Sequence, residues 1–210
     1  MLKVWGRNTS SNVQKVMWAL GEMGLECERI DIGGPFGKNK EAAYLAMNPN
    51  GLVPTLEEED GWLLWESNSI VRYLAAKHQA RNLEPADLRI RAQAQKWMDW
   101  QLSVAGPAIF PLFWGLVRTP PEKRDPASIA AGREKIGEAL KIMDAQLAKT
   151  EWLASDEFSY GDIPIGPIVH RYMHLVPPAD RPNIKNVERW YQAALKRPGY
   201  KANIADIPVV

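Results

Sequence analysis

Residues 53–77 read VPTLEEEDGWLLWESNSIVRYLAAK, and this stretch decides the fold. Two short apolar runs, residues 53–57 and 62–65, are separated by an acidic segment that ends in Asp60-Gly61. An Asp-Gly pair between apolar runs is a strong signal for a β-hairpin. After Ser67 the apolar residues recur at helical spacing as far as residue 77. We therefore expect a strand–strand–helix unit here.

Upstream of this unit the chain alternates between strand and helix patterns. Glycine and proline mark the ends of the segments, as in Gly24 and in Asn48-Pro49-Asn50-Gly51. The predicted segments are a strand over 2–5, a helix over 13–23 that ends at Gly24, a strand over 27–32 and a short helix over 40–47. With the unit above, the order is βαβαββα, which predicts a small α/β domain over residues 1–79.

Downstream the composition changes, and no further strand is predicted. Residues 79–86 form a connector that contains Pro85, and Pro107 and Pro111 are expected to interrupt or kink the helical stretch that follows. The predicted helices cover 87–105, 129–149, 162–174 and 186–196. The fold class is therefore α/β followed by an all-α domain over residues 87–210.

Composition narrows the function classes. The chain has 210 residues and a formal net charge of +1, which gives no electrostatic case for a nucleic-acid or membrane partner. No signal peptide is predicted, and no run reaches the roughly 18 apolar residues of a membrane span. With one cysteine, Cys27, and no ligand spacing among three histidines, we expect no metal site. A chain without disulfides fits a reducing compartment, so we expect the cytoplasm.

Four polar residues, Thr9-Ser10-Ser11-Asn12, lie between the first predicted strand and helix. One of them is expected to cap the helix, since Ser, Thr and Asn are favoured N-cap residues. A functional interpretation is that the helix start and these side chains stabilise an anion, and a thiolate would qualify. A free thiol has a pKa of about 8.5, so thiolate stabilisation would activate it at neutral pH.

Two further segments suggest a site for a peptide-like ligand. Val53-Pro54 is either an ordinary strand entry or a cis peptide bond that exposes the backbone of Val53. Ser67 begins the third predicted helix and can bind a carboxylate there. Glu66 beside it can pair with an ammonium group. Together these residues suit the zwitterionic head group of an amino acid.

These motifs, in this order, make the chain similar to the soluble glutathione transferases over nearly its whole length. The loop beginning at Ser10 resembles the serine motif of the zeta and theta classes, and Asn12 resembles the asparagine of nu-type members. The other matching segments are the stretch ending in Val53-Pro54, the Glu66-Ser67 motif, the capping box Ser159-Tyr160-Gly161-Asp162 and the final helix from Arg189 to Tyr200. The capping box is a folding device and not part of the chemistry.

The resemblance implies a thioredoxin-like first domain that binds glutathione as co-substrate. It implies that Val53, before Pro54, pairs with the cysteinyl part, and that Glu66 and Ser67 hold the γ-glutamyl end. Ser10, assisted by Asn12, would stabilise the thiolate; Ser11 is the alternative and Thr9 the third choice. Relatives often have lysine where this chain has Leu52, so Lys38 or Asn50 would replace that contact.

The resemblance also implies a pocket between the domains for a small apolar electrophile, a role in detoxification, and a homodimer with Arg72 near its interface. The pocket candidates are Trp5, Arg7, Phe110, Phe113 and Trp114. Two other functions stay open. One is glutathione-dependent reduction of peroxides or disulfides, and the other is a non-catalytic binding protein with the same fold.

Overall fold

The computed structural model describes residues 1–210, and its first part is built on a four-stranded sheet. The strands are β1 (Lys3–Trp5), β2 (Glu28–Ile30), β3 (Thr55–Glu57) and β4 (Leu63–Trp65), in the order β2-β1-β3-β4. β1 is parallel to β2 and antiparallel to β3, and β3 is antiparallel to β4. The predicted hairpin is present, and its turn includes Gly61 in the left-handed region with φ +85°.

Three helices accompany this sheet: α1 (Ser11–Met23), α2 (Ala42–Met47) and α3 (Ser67–Lys77). α1 and α3 pack against each other, and Val4 and Leu56 of the sheet are fully buried in the same core cluster. α1 ends at Gly24 with φ +64°, as the sequence predicts. The order βαβαββα is therefore confirmed, and the fold is thioredoxin-like with a helical C-terminal domain.

The second part contains helices and no strand. Its α-helices are α4 (Leu88–Trp100), α5 (Gly106–Phe113), α6 (Pro126–Leu147), α7 (Gly166–Leu175), α8 (Lys185–Leu195) and α9 (Pro198–Tyr200). α5 packs along α6, and α9 packs on α1 of the first domain. Arg197 pairs with Glu22 of α1 across this contact, with Nη2 2.7 Å from Oε2. One continuous hydrophobic core therefore spans both domains.

The stretch with Pro107 and Pro111 differs from the prediction, because the helix is not broken there. It runs from Leu88 to Arg118 and changes to π-helical geometry at Gln101–Ala105 and again at Trp114–Arg118. The wider π turn lets a helix continue where proline provides no N–H. By length and composition alone this run could cross a membrane. A third of its most apolar window is buried inside the protein, and Ala105, Ile109 and Leu112 belong to the hydrophobic core.

Smaller differences concern segment ends. The short helix begins at Ala42 and not at residue 40, and the helix predicted over 162–174 begins at Gly166 after a series of turns. Cys27 lies just before β2, half-buried against Met17. In the capping box, the Asp162 carboxylate accepts from the backbone N–H of Ser159 at 3.2 Å, as expected. The same fully buried carboxylate also accepts from Trp190 Nε1 at 2.9 Å.

Candidate active site

The strand register brings three of the predicted site segments to one edge of the sheet. Trp5, at the end of β1, pairs with Thr55 at the start of β3, and Thr55 pairs with Trp65 at the end of β4. The loop after β1, the segment before β3 and the loop after β4 therefore leave the sheet at the same edge. Both α1 and α3 begin there, and helix starts favour negative charge.

Ser10 is at the N-cap position of α1, yet its side chain makes no capping hydrogen bond. The residue is only 8% exposed. The first amides of a helix have no partner within the helix, and here the Ser10 hydroxyl satisfies none of them. The hydroxyl and the helix start are both free to bind an anion. Ser10 therefore remains the first choice for contact with a thiolate.

The neighbours of Ser10 differ in their surroundings. Asn12 is exposed in the first turn of α1, and Ser11 is half-buried. The Thr9 carbonyl accepts a hydrogen bond from Arg171 Nη2 of α7 at 3.1 Å. This contact ties the loop to the helical domain through the Thr9 backbone.

The Val53-Pro54 peptide bond, left open by the sequence, is cis. The preceding carbonyl, on Leu52, accepts from Tyr44 Oη at 2.7 Å and from Asn48 Nδ2 at 2.9 Å. Tyr44 and Asn48 are both buried. Since C=O and N–H point in opposite directions across a trans peptide, the N–H of Val53 points away from the domain interior. It can donate to the backbone of a bound peptide.

The start of α3 has an unusual backbone. Glu66 has φ +73°, which is rare for a residue other than glycine and is found preferentially at functional sites. Its side chain is exposed, whereas Ser67 is 4% exposed. Asn68 follows and donates to the Met98 carbonyl at 2.9 Å, which fixes the helix start against α4. The start of α3 at Ser67, which can bind a carboxylate, therefore lies next to the exposed carboxylate of Glu66.

A buried lysine that sequence reasoning missed lies beneath this edge. Lys15 of α1 is 1% exposed, and its Nζ donates to Gln101 Oε1 at 2.7 Å. Burial lowers the pKa of Lys15 to about 7, although the negative charge of Glu66 partly opposes this effect. The only signal in the sequence was a lysine within an apolar stretch of helix. Lys15 connects α1 to the first π-helical segment across the domain boundary.

At the other end of the edge, the structure favours a different lysine from the one predicted. Lys38 is exposed and has φ +63°. Lys40, in contrast, donates to the Asn50 carbonyl at 3.1 Å, and Asn39 donates to the Gly51 carbonyl at 2.8 Å. Lys40 is therefore the cation next to Asn50, where the chain has Leu52 in place of a lysine.

Four of the five predicted second-substrate residues fall into two groups. Arg7 and Phe113 lie near Arg171, whose guanidinium carbon is 4.1 Å from the centre of the Phe113 ring. Phe110 and Trp114 are exposed and stack on each other at 5.3 Å, and with residues at the start of α6 they line a hollow of about 270 Å³.

The position of Trp5 does not agree with its predicted place in this pocket. Its Nε1 donates to Glu57 Oε2 at 2.8 Å, and Lys3 donates to the same carboxylate. Side chains alternate along a strand, so Trp5 lies on the sheet face opposite Val4, which packs in the core. This face is turned away from the one covered by α1 and α3.

Both domains of the chain are similar to those of known proteins. Residues 9–77 match the family described as glutathione S-transferase, N-terminal domain, and residues 106–198 match the C-terminal domain of the same family. The chain therefore belongs to the glutathione S-transferases.

Individual relatives cover the whole chain. It is 44% identical over 211 residues to glutathione S-transferase GstB of Escherichia coli K12, with 100% of both sequences aligned. Glutathione S-transferase 3 of Zea mays is 30% identical over 99% of this chain and 95% of its own. The crystal structure of a theta class glutathione S-transferase from Xanthomonas axonopodis pv. citri, with glutathione bound, superposes with a TM-score of 0.94. It is 41% identical and covers 100% of this chain and 99% of that one.

Proposed function

We propose that this protein is a glutathione transferase that binds glutathione along the edge formed by the starts of α1, β3 and α3. The proposal rests on one observation. The strand register brings three features to one edge of the sheet: the Ser10 hydroxyl, which makes no capping hydrogen bond, the outward N–H of Val53, and the Glu66-Ser67 pair. Membership of the family and the glutathione-bound relative support the same assignment.

In this proposal each part of the tripeptide has its own contacts. The α-carboxylate of the γ-glutamyl residue lies at the start of α3 on Ser67, and Glu66 pairs with its ammonium group. The cysteinyl residue pairs with the Val53 backbone. The glycyl carboxylate lies near Lys40 and Asn50. This orientation directs the thiol toward Ser10, with Asn12 next to it and Ser11 as the alternative contact.

The chemistry is thiol ionisation followed by transfer. Lowering a thiol pKa by about two units requires roughly 2.7 kcal/mol of selective stabilisation of the thiolate. A hydrogen bond from a hydroxyl to a charged group contributes about 1.5–3 kcal/mol, and a helix start adds about 0.3–1 kcal/mol. The thiolate then attacks an electrophilic carbon. A carbon–sulfur bond forms, and the leaving group departs with its electron pair.

The assembly and the location are part of the same proposal. We propose a cytoplasmic homodimer that acts in detoxification. Each chain consists of two domains, over residues 1–79 and 87–210. Arg72, which pairs with Asp99 at 3.6 Å, would lie near the interface. Sedimentation analysis should give twice the chain mass of 23.7 kDa.

The test is the ultraviolet absorbance of the bound glutathione thiolate as a function of pH. The wild type should show a pKa well below about 8.5, and Ser10→Ala or Asn12→Ala should raise it. Ser155→Ala is the matched control, because Ser155 lies in the loop between α6 and α7 and its hydroxyl bonds only the backbone of Glu157; it should leave the thiol pKa unchanged. Glutathione that binds with an ordinary thiol pKa would favour the non-catalytic binding protein instead.

A further inference from the structure

Three arginines converge beside the proposed position of the glutathione sulfur: Arg7 after β1, Arg118 at the end of the second π-helical segment, and Arg171 on α7. We call them the arginine cluster. Arg171 is anchored to the Thr9 carbonyl, one residue before Ser10. None of the three takes part in an ion pair, although other arginines of the chain do.

An aromatic ring lies under two members of the cluster. The guanidinium carbon of Arg171 is 4.1 Å from the centre of the Phe113 ring, and that of Arg118 is 5.7 Å from the same centre. Phe113 is only 8% exposed, so the ring is a fixed platform within the helical domain. Cations favour the face of an aromatic ring, and this contact orients both groups.

Arg7 completes the cluster from the glutathione-binding domain. Its stem packs against Gly34 so closely that a Cβ atom at that glycine would lie 2.8 Å from Arg7 Nε. The Nε atom is buried and has no hydrogen-bond partner. A buried donor without a partner is costly and rare in a native protein. The packing against Gly34 covers Nε, whereas Nη1 and Nη2 are not buried in this way and make no hydrogen bond, so these two atoms are the ones that a ligand can reach.

The charges of the cluster are uncompensated. Burial, then the positive charge of Arg118, lowers the pKa of Arg7. Burial, then the charges of Arg118 and Arg7, lowers the pKa of Arg171 to about 10. The buried Lys15 is also near enough to Arg171 for their charges to repel. Like charges held together without a counter-ion produce a strong positive field, which attracts anions.

We propose that the arginine cluster binds an anionic group on the second substrate, so that the protein prefers electrophiles that combine an apolar body with a carboxylate or a similar anion. The inference rests on the proposed transferase function. The carboxylates of glutathione are already assigned to the start of α3 and to the Lys40–Asn50 corner. Arg118 and Arg171 come from the helical domain, on the side of the second substrate.

A matched pair of electrophiles tests this: 4-(bromomethyl)benzoate and its methyl ester. In both, the glutathione thiolate attacks the benzylic carbon, a carbon–sulfur bond forms, and bromide leaves with the electron pair. The carboxylate of the first compound takes no part in the reaction. Each rate is divided by the uncatalysed rate with free glutathione, so that intrinsic reactivity cancels.

Arg118→Gln is the main variant, because Arg118 is exposed and makes no ion pair, so its loss should leave folding intact. A charge-assisted contact is typically worth about tenfold or more in binding, so kcat/KM for the benzoate should fall by about that factor. The ester should change by less than about twofold, because it has no charge for the cluster to bind. Arg81→Gln, an exposed arginine beyond the far end of α3, should leave both rates unchanged.

A binding measurement supports the kinetic one. Unreactive 4-methylbenzoate should compete with the electrophile and not with glutathione, and 4-methylbenzamide should inhibit far less. Arg118→Gln should weaken inhibition by 4-methylbenzoate about as much as it lowers kcat/KM for the benzoate.

Three results would overturn the inference. Equal losses for benzoate and ester would mean that the cluster stabilises the thiolate and not the second substrate. A raised KM for glutathione in Arg118→Gln would assign the cluster to the glycyl carboxylate. A wild type that shows no preference for the benzoate would remove the basis of the inference while the transferase function stands. Failure to turn over either compound, together with an ordinary thiol pKa, would instead contradict both proposals.

Discussion

Replacing Ser10 with alanine should separate its structural role from its functional one. Ser10 is at the N-cap of α1, where serine normally accepts a backbone hydrogen bond, but its side chain makes none. Substituting a working N-cap by alanine costs about 1 kcal/mol. Because Ser10 has no such bond to lose, we expect Ser10→Ala to change the free energy of unfolding by less than about 0.5 kcal/mol.

Asp87 provides the matched control, because it is the N-cap of α4 and works as one. Its carboxylate accepts from the backbone N–H of Arg89 at 2.8 Å and from that of Ile90 at 3.0 Å. Asp87→Ala should therefore lower the free energy of unfolding by about 1 kcal/mol and leave the thiol pKa of bound glutathione unchanged.

The functional effect should show the reverse pattern. Loss of one hydrogen bond to a thiolate, worth about 1.5–3 kcal/mol, should raise the thiol pKa by about one to two units in Ser10→Ala. Urea unfolding gives the stability, and thiolate absorbance gives the pKa. If Ser10→Ala destabilises the protein as much as Asp87→Ala and leaves the thiol pKa unchanged, Ser10 is a helix cap and the reasoning fails.

Three further predictions concern the buried charges. The pKa of Lys15 falls from 10.5 to about 7 on folding, so between these pH values the unfolded chain binds more protons than the folded one. The free energy of unfolding should therefore rise with pH, by up to about 1.4 kcal/mol per pH unit. Lys15→Met should remove this rise, as measured by urea unfolding between pH 7 and 9. Asp162→Ala leaves Trp190 Nε1 and two buried backbone N–H donors unpaired. Thermal unfolding should show a loss of about 3 kcal/mol or more in the free energy of unfolding. A loss under about 1 kcal/mol would mean that these buried donors do not depend on Asp162. Arg197→Gln leaves the mostly buried carboxylate of Glu22 without its ion-pair partner. A double-mutant cycle with Glu22→Gln should therefore give a coupling energy of about 1–2 kcal/mol. Additive effects of the two substitutions would mean that this pair does not join the domains.

The sequence predicted the fold well where local patterns are strong. The Asp60-Gly61 hairpin, the ends of α1 at Gly24 and α3 at Lys77, and the change to an all-helical second part all follow from short-range periodicity and turn residues. The helix through Pro111 was harder, because proline predicts a break and the π-helical turns that accommodate it have no recognisable sequence signal.

The candidate site was predicted only in part, for a similar reason. Ser10, Val53 and Glu66 stand in motifs, so the sequence points to them directly. Arg171 does not, because its role depends on α7 reaching the Thr9 carbonyl, 162 residues away along the chain. Trp5 was assigned to the pocket because it is aromatic and near the loop. The side of the sheet on which it lies is determined by strand register, which the sequence did not reveal.

Proton release on glutathione binding tests the central claim most directly, namely that the thiol ionises at the start of α1. Calorimetric titration at pH 7 in buffers of different ionisation enthalpy gives the number of protons released, and S-methylglutathione is the control without a thiol. If the bound thiol has a pKa about two units below 8.5, glutathione should release most of one proton and S-methylglutathione none. Equal release by both ligands would mean that the thiol stays protonated, and that this edge of the sheet binds glutathione without activating it.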